Sequence, residues 1–205
     1  MTPGGTLVPI FVTNGALGIE HLLAATLAGM RWQPAVRTLP PYHDEPAYID
    51  ALQASIERQL AQLDFTPERL LLSFHGMPQR TLQLGDPYHC HCRKTSRLLG
   101  ERLSIATDTA LQSRFGRAKW LEPETENVLA GYPGQGVRKI AIAAPGFSAD
   151  CIETIEELGI RCRETFTEAG GTNFARLDCL NEGEEGMAML DALLRRELAG
   201  WWGVP

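Results

Sequence analysis

Short apolar runs alternate along this chain with longer stretches whose hydrophobic positions recur at helical spacing, the pattern of a parallel sheet covered by helices. The runs Leu7–Val12, Ala35–Leu39, Arg69–Phe74, Ala110–Arg114, Lys139–Ala144 and Phe174–Leu177 read as strands. Between them, Ile49, Leu52, Ile56, Leu60 and Leu63 mark one face of a helix over Glu45–Leu63, with Pro46 tolerated in its first turn. A second helix runs from about Asp86 or Pro87 to Leu103, and a short one lies near Glu124–Ala130. Another starts at about Ala149, and the last spans Glu184–Trp202, whose Trp201 and Trp202 must pack on something. The expected fold is α/β: three layers, with a parallel sheet flanked by helices.

Two of these strands deliver polar groups to their carboxyl ends, where open α/β sheets bind ligands. Leu70-Leu71-Leu72-Ser73-Phe74 ends in His75-Gly76, so the imidazole can face a cleft as a near-neutral base or metal ligand. The run Lys139–Ala144 leads through Pro145-Gly146 into the helix that carries Asp150, Glu153 and Glu157. On an α-helical wheel at 100° per residue these three and Glu164 fall within roughly 60°, opposite Ile152, Ile155, Leu158, Cys162 and Phe166. An acidic helical face is often merely solvated. Carboxylates four apart repel, however, and gain from a bound cation, so a hydrated divalent ion is the alternative.

Composition narrows the classes. The 205 residues are 44% hydrophobic and 21% charged, ordinary for a globular protein, and suffice for one domain with a real core. A net charge of -6 with scattered Lys and Arg argues against a nucleic-acid surface. No basic leader and no apolar run of membrane-spanning length occurs, so a cytoplasmic location is expected. Five cysteines, irregularly spaced, read as reduced thiols, with Cys162 and Cys179 in the core. His89-Cys90-His91-Cys92 has metal-ligand character, but its spacing is tighter than that of structural zinc sites, and a reactive or packed thiol pair is the stronger reading. Arg114, with Phe115 and Trp120 nearby, suits a flat aromatic ligand bearing carboxylates, and equally a structural role. No P-loop, dinucleotide fingerprint or nucleophile elbow is present.

Four ordered motifs together resemble ferrochelatase of the proteobacterial type: Ser73-Phe74-His75-Gly76, Gly85-Asp86-Pro87-Tyr88, Gln112-Ser113-Arg114-Phe115-Gly116 with Trp120-Leu121, and Pro145-Gly146-Phe147 with Asp150-Cys151-Ile152-Glu153-Thr154. The resemblance runs from about Arg31 to Trp202 and implies a class II chelatase-like, Rossmann-like domain over 32–205. It implies a lyase of haem and porphyrin biosynthesis that inserts ferrous iron, a substrate, into protoporphyrin IX, with no cofactor required. His75 and Glu153 are the implied catalytic and metal-binding pair, and Asp150 and Glu157 the secondary metal path. Tyr88, Arg114 and Trp120 are the implied porphyrin contacts. The chemistry needs a base and an anionic ion path facing each other, because two N–H protons must leave the macrocycle as a divalent ion enters.

The chain also departs from the family pattern. Family members carry a second, amino-terminal domain of similar fold, with the porphyrin between the two. Residues 1–31 are expected to be only the closing strand and helix of that domain, and Phe11-Val12-Thr13-Asn14-Gly15 differs from the sequence expected there. Activity is then impaired or partner-dependent, through a missing domain or a homodimer. A half-length homodimeric chelatase of the sirohydrochlorin type and a non-catalytic porphyrin- or metal-binding remnant are the alternatives. Cys151 stands where animal enzymes carry histidine, while bacterial relatives share the cysteine. Some family members hold a 2Fe–2S cluster, but neither Cys90-His91-Cys92 nor the other thiols fit such a pattern, so none is expected.

Overall fold

A computed structural model describes residues 17–34, 36 and 38–200. The first element among the described residues is helix α1, Leu17–Ala28, followed by α2, Pro46–Ala61. Strand β1, Arg69–His75, leads through α3, Gln79–Gln83, and α4, Tyr88–Gly100, to β2, Thr107–Gln112. Helix α5, Thr125–Gly131, and a 3-10 turn at Pro133–Gln135 precede β3, Lys139–Ala143. A π-helix over Glu153–Arg161 runs directly into α6, Cys162–Glu168; β4, Asn173–Arg176, and α7, Glu184–Glu197, follow.

The strands form one all-parallel sheet in the order β2-β1-β3-β4. Helices cover both faces, and the inner strands are accordingly mostly apolar, with Leu70, Leu71, Leu72 and Phe74 fully buried. Side chains alternate between two cores. Leu70, Leu72 and Phe74 join α2, α4 and α7 around Ile49, Leu99 and Leu193. Leu71, Ala110, Ile140 and Ile142 join α5, the π-helix and α6 around Leu129, Leu158 and Phe166. On that second face β1 carries Leu71, then Ser73, then His75, so it turns from apolar to polar to ionisable as it leaves the core.

Most of the expected elements are present, with differences that have physical causes. Val36, Thr38 and Leu39 carry no strand, while Ala35 and Arg37, like the expected strand Leu7–Val12 and the pair Trp201 and Trp202, lie outside the described residues. The strand expected over Ala110–Arg114 is shifted to Thr107–Gln112. It ends because Ser113 enters the left-handed region at φ 63°, which reverses the chain. Beyond that reversal the segment folds back along the outer edge of β2: Leu111 N–H donates to the Pro123 carbonyl, and Leu111 bridges to Glu124 in parallel fashion. No helix among the described residues is long and apolar enough to cross a membrane.

Candidate functional site

The strand order creates one crevice. From β1 the chain crosses to β2 on one side, whereas β3 lies on the other side of β1, so the connections diverge above the carboxyl ends of β1 and β3. Such a switch point is where open parallel sheets bind ligands. His75 is the last residue of β1, and Glu153 opens the π-helix that follows β3. The strand end that carries His75 and the turn that leads to Glu153 are therefore adjacent along that edge, and His75 adds a small lowering to the Glu153 carboxyl pKa.

His75 is held from its backbone outward. The Tyr88 hydroxyl donates to the His75 carbonyl at 2.9 Å, and Tyr88 N–H donates to Asp86 Oδ1 at 2.9 Å. Nδ1 of His75 lies 2.7 Å from the Gly76 carbonyl, an acceptor only, so Nδ1 is the donor and the neutral ring carries its lone pair on Nε2. Phe147 packs beside the imidazole, 6.4 Å between ring centroids. Tyr88 is buried and supports the backbone of His75.

The carboxylates do not act as one row: Asp150 precedes the helix, and the three engage different partners. Cys162 N–H donates to the Glu157 carbonyl, five residues back, so the segment winds as a π-helix and the α-helical wheel does not apply to it. Glu153 is held below the usual carboxylate range, first by the Cys151 thiol, then by its own backbone N–H, and also by His75. Glu157 is buried, and takes Ser113 N–H and Ser113 Oγ–H at 2.6 Å each, clamping the left-handed turn after β2. Asp150 turns toward β4, where its two oxygens accept from Thr154 Oγ1 at 2.8 Å, Arg176 at 2.8 Å, Asn181 Nδ2 at 2.7 Å and Cys179 N–H at 3.3 Å. Burial opposes ionisation of Asp150, but these contacts outweigh it and its carboxyl sits below the ordinary value. The winding also leaves Ile152 and Ile155 exposed, while Leu158, Cys162 and Phe166 enter the core as expected.

Arg114 and Trp120 lie on the segment that leaves β2, beside the carboxyl end of β1. Arg114 donates to Glu124 at 3.2 Å and to the Leu121 carbonyl at 2.7 Å, yet its Nε–H is buried without a partner. Trp120 is buried against Gly76, and its indole N–H is likewise unpartnered. Trp120 is pinned there by an antiparallel bridge to Pro78, and Phe115 meets its ring edge-on at 5.0 Å. The tetrad on α4 does not converge: Cys90 is exposed, Cys92 is buried, and His91 stacks on His43 at 3.7 Å. Among the described residues no three His, Cys, Asp or Glu side chains are grouped as a metal site.

Ser73 and Gln112 enter the sequence reading only as members of motifs and not as site residues, although each is a polar residue inside a buried strand. Both are buried: Ser73 Oγ donates to Gln112 Oε1 at 2.7 Å, and Gln112 Nε2 donates to the Glu153 carbonyl at 3.0 Å. A polar side chain at a core-facing strand position implies a partner, and that is the signal that could have found them.

The family model described as Ferrochelatase matches residues 6–198. The chain is 51% identical over 198 residues to the ferrochelatase of Rhizobium johnstonii and equally to that of Rhizobium meliloti, covering 95% of this chain and 58% of each relative. It is 46% identical over 198 residues to the ferrochelatase of Methylocella silvestris, covering 95% of this chain and 57% of that protein. The chain thus spans a little over half the length of the curated relatives it matches.

Proposed function

The chain belongs to the ferrochelatase family, and from that premise we propose that it forms one wall of a porphyrin metallation cleft, inserting ferrous iron into protoporphyrin IX to make protohaem. The observation that carries this reading is the placement of His75 at the end of β1 and of Glu153 at the opening of the helix after the neighbouring β3, at the switch point of the sheet. Insertion releases two pyrrole protons as a divalent ion enters the macrocycle. His75, with Nδ1 committed to the Gly76 carbonyl, offers Nε2 as the proton acceptor. Glu153, kept anionic, offers the ion a negative approach. Iron is substrate in this scheme, and no resident cofactor is invoked.

The surroundings support a large, flat, partly apolar ligand. Leu84, Phe115, Ile152 and Ile155 are exposed on the segments that leave β1, β2 and β3, all at the carboxyl edge. The unpartnered donors of Arg114 and Trp120 suit the acceptor groups of such a ligand, since buried donors favour arrangements that pair them. The exposed apolar rim also supports dependence on a partner, either an amino-terminal domain like that of the longer relatives or a second copy of this chain. A cytoplasmic location belongs to the same proposal.

Anaerobic incubation of the purified chain with protoporphyrin and ferrous iron, followed by metalloporphyrin absorbance, is the test. Turnover is expected from the parent and not from His75→Ala or Glu153→Gln. A chain inactive at every concentration, and inactive when mixed with a separately produced amino-terminal half of a relative, would refute the reading. Mass in solution across the same concentrations separates monomer from dimer.

A further inference from the structure

We propose that Gln112 is the positioning residue that fixes Glu153 relative to His75. The proposal rests on the chelatase reading of that pair and adds to it the part that sets their separation. Gln112 reaches both walls of the crevice. Its backbone carbonyl accepts the Gly76 N–H at 2.6 Å, immediately after His75, and its side chain donates to the Glu153 carbonyl at 3.0 Å. Gly76 and Gln112 are so close that a Cβ on Gly76 would lie 2.5 Å from the Gln112 oxygen.

The side chain has only one orientation that satisfies its neighbours. Ser73 Oγ–H donates to Gln112 Oε1 at 2.7 Å, which turns Nε2 toward Glu153. With its proton used there, Ser73 accepts from Thr125 Oγ1 at 2.8 Å. The result is a directed string from Thr125 on α5 through Ser73 on β1 and Gln112 on β2 to the start of the π-helix. Thr125, Ser73 and Gln112 are all at most 2% exposed, so water cannot substitute for a missing member. Asp150 anchors the same segment from the opposite side, through Arg176 and Asn181, so the string from Gln112 holds its catalytic flank.

Two substitutions test this. Gln112→Met keeps the volume and removes both hydrogen bonds. Gln112→Glu keeps the acceptor for Ser73, and regains a donor toward Glu153 only when its carboxyl is protonated. Hydrogen exchange of the segment 150–158 is expected to accelerate at least about tenfold in Gln112→Met, with β1 and β3 unchanged. In zinc insertion into protoporphyrin, kcat is expected to fall about 10- to 100-fold with KM for both substrates within about twofold, as for a misplaced reacting group. Activity of Gln112→Glu relative to the parent should rise as pH falls, while that of Gln112→Met stays flat. Unchanged exchange in 150–158, a loss carried by KM, or a flat ratio for Gln112→Glu would each overturn the proposal. A parent chain that makes no metalloporphyrin refutes the chelatase reading instead, and the exchange measurement then decides the role of Gln112 by itself.

Discussion

Cys151 does more for Glu153 than its position beside it suggests. Its thiol is the largest contributor to the low carboxyl pKa of Glu153, ahead of the backbone N–H and His75. Cys151→Ala is therefore expected to move the Glu153 titration up toward the ordinary value of about 4.3, read by carboxyl NMR, and to carry the acid limb of iron insertion upward with it. Asp150 predicts a different pH effect. Its folded-state pKa is depressed, so its contribution to stability is present above the unfolded value of about 3.9 and is lost as pH falls through the lower folded value. Urea melts between pH 3 and 6 should show the parent losing stability at the acid end and Asp150→Asn following a flatter line. The positions of His75 at the end of β1 and of Glu153 in the helix after β3 could be read from the sequence, because an apolar run that ends in a polar residue marks a strand end. The tasks of Asp150 and Glu157 could not. Both are satisfied by contacts 26 to 44 residues away, which no local pattern encodes.

Among elements, β1 and β3 were legible almost to the residue, because strands buried on both faces write themselves as unbroken apolar runs. The edge strand β2 was misplaced, since Thr107, Asp108 and Thr109 are half-exposed and look like a loop. The π-helix was read as an α-helix because hydrophobic spacing is too coarse to separate the two windings over nine residues. Glycine 76 gives this scale its prediction. Gly76→Ala puts a methyl against the Gln112 carbonyl at 2.5 Å and against Trp120 at 3.3 Å, and the first of these is backbone that cannot swing aside. The change should destabilise the chain by about 1–3 kcal/mol and weaken the pairing of β1 with β2 at the crevice end. Denaturant midpoints and amide exchange of Gly76 and Leu121 check both parts.

For the molecule as a whole, the alternation of strands and helices fixed the fold class, but strand order is not written in any one segment. Only with β3 beside β1 do the strand end that carries His75 and the turn that leads to Glu153 meet at one edge of the sheet. The two cores flanking the sheet are unequal, and the one beneath the π-helix is the smaller. Phe166, fully buried there, touches Phe174 at 6.1 Å between centroids and abuts Gly171, so Phe166→Ala should cost about 3–5 kcal/mol. That is a large share of a typical folding margin, and calorimetry or urea unfolding measures it. The fold-back of Leu111 onto Pro123 and Glu124 has a consequence for behaviour at high concentration. An outer strand with free amides is a template on which another chain can add and propagate. Here the segment that carries Trp120 occupies the carboxyl-end half of that template, and β4, at the opposite margin, is only four residues long. Shortening the loop that carries Trp120 is therefore expected to free the Leu111 amide at the outer edge of β2 and to raise the tendency of the chain to add edge to edge, read by light scattering at high concentration.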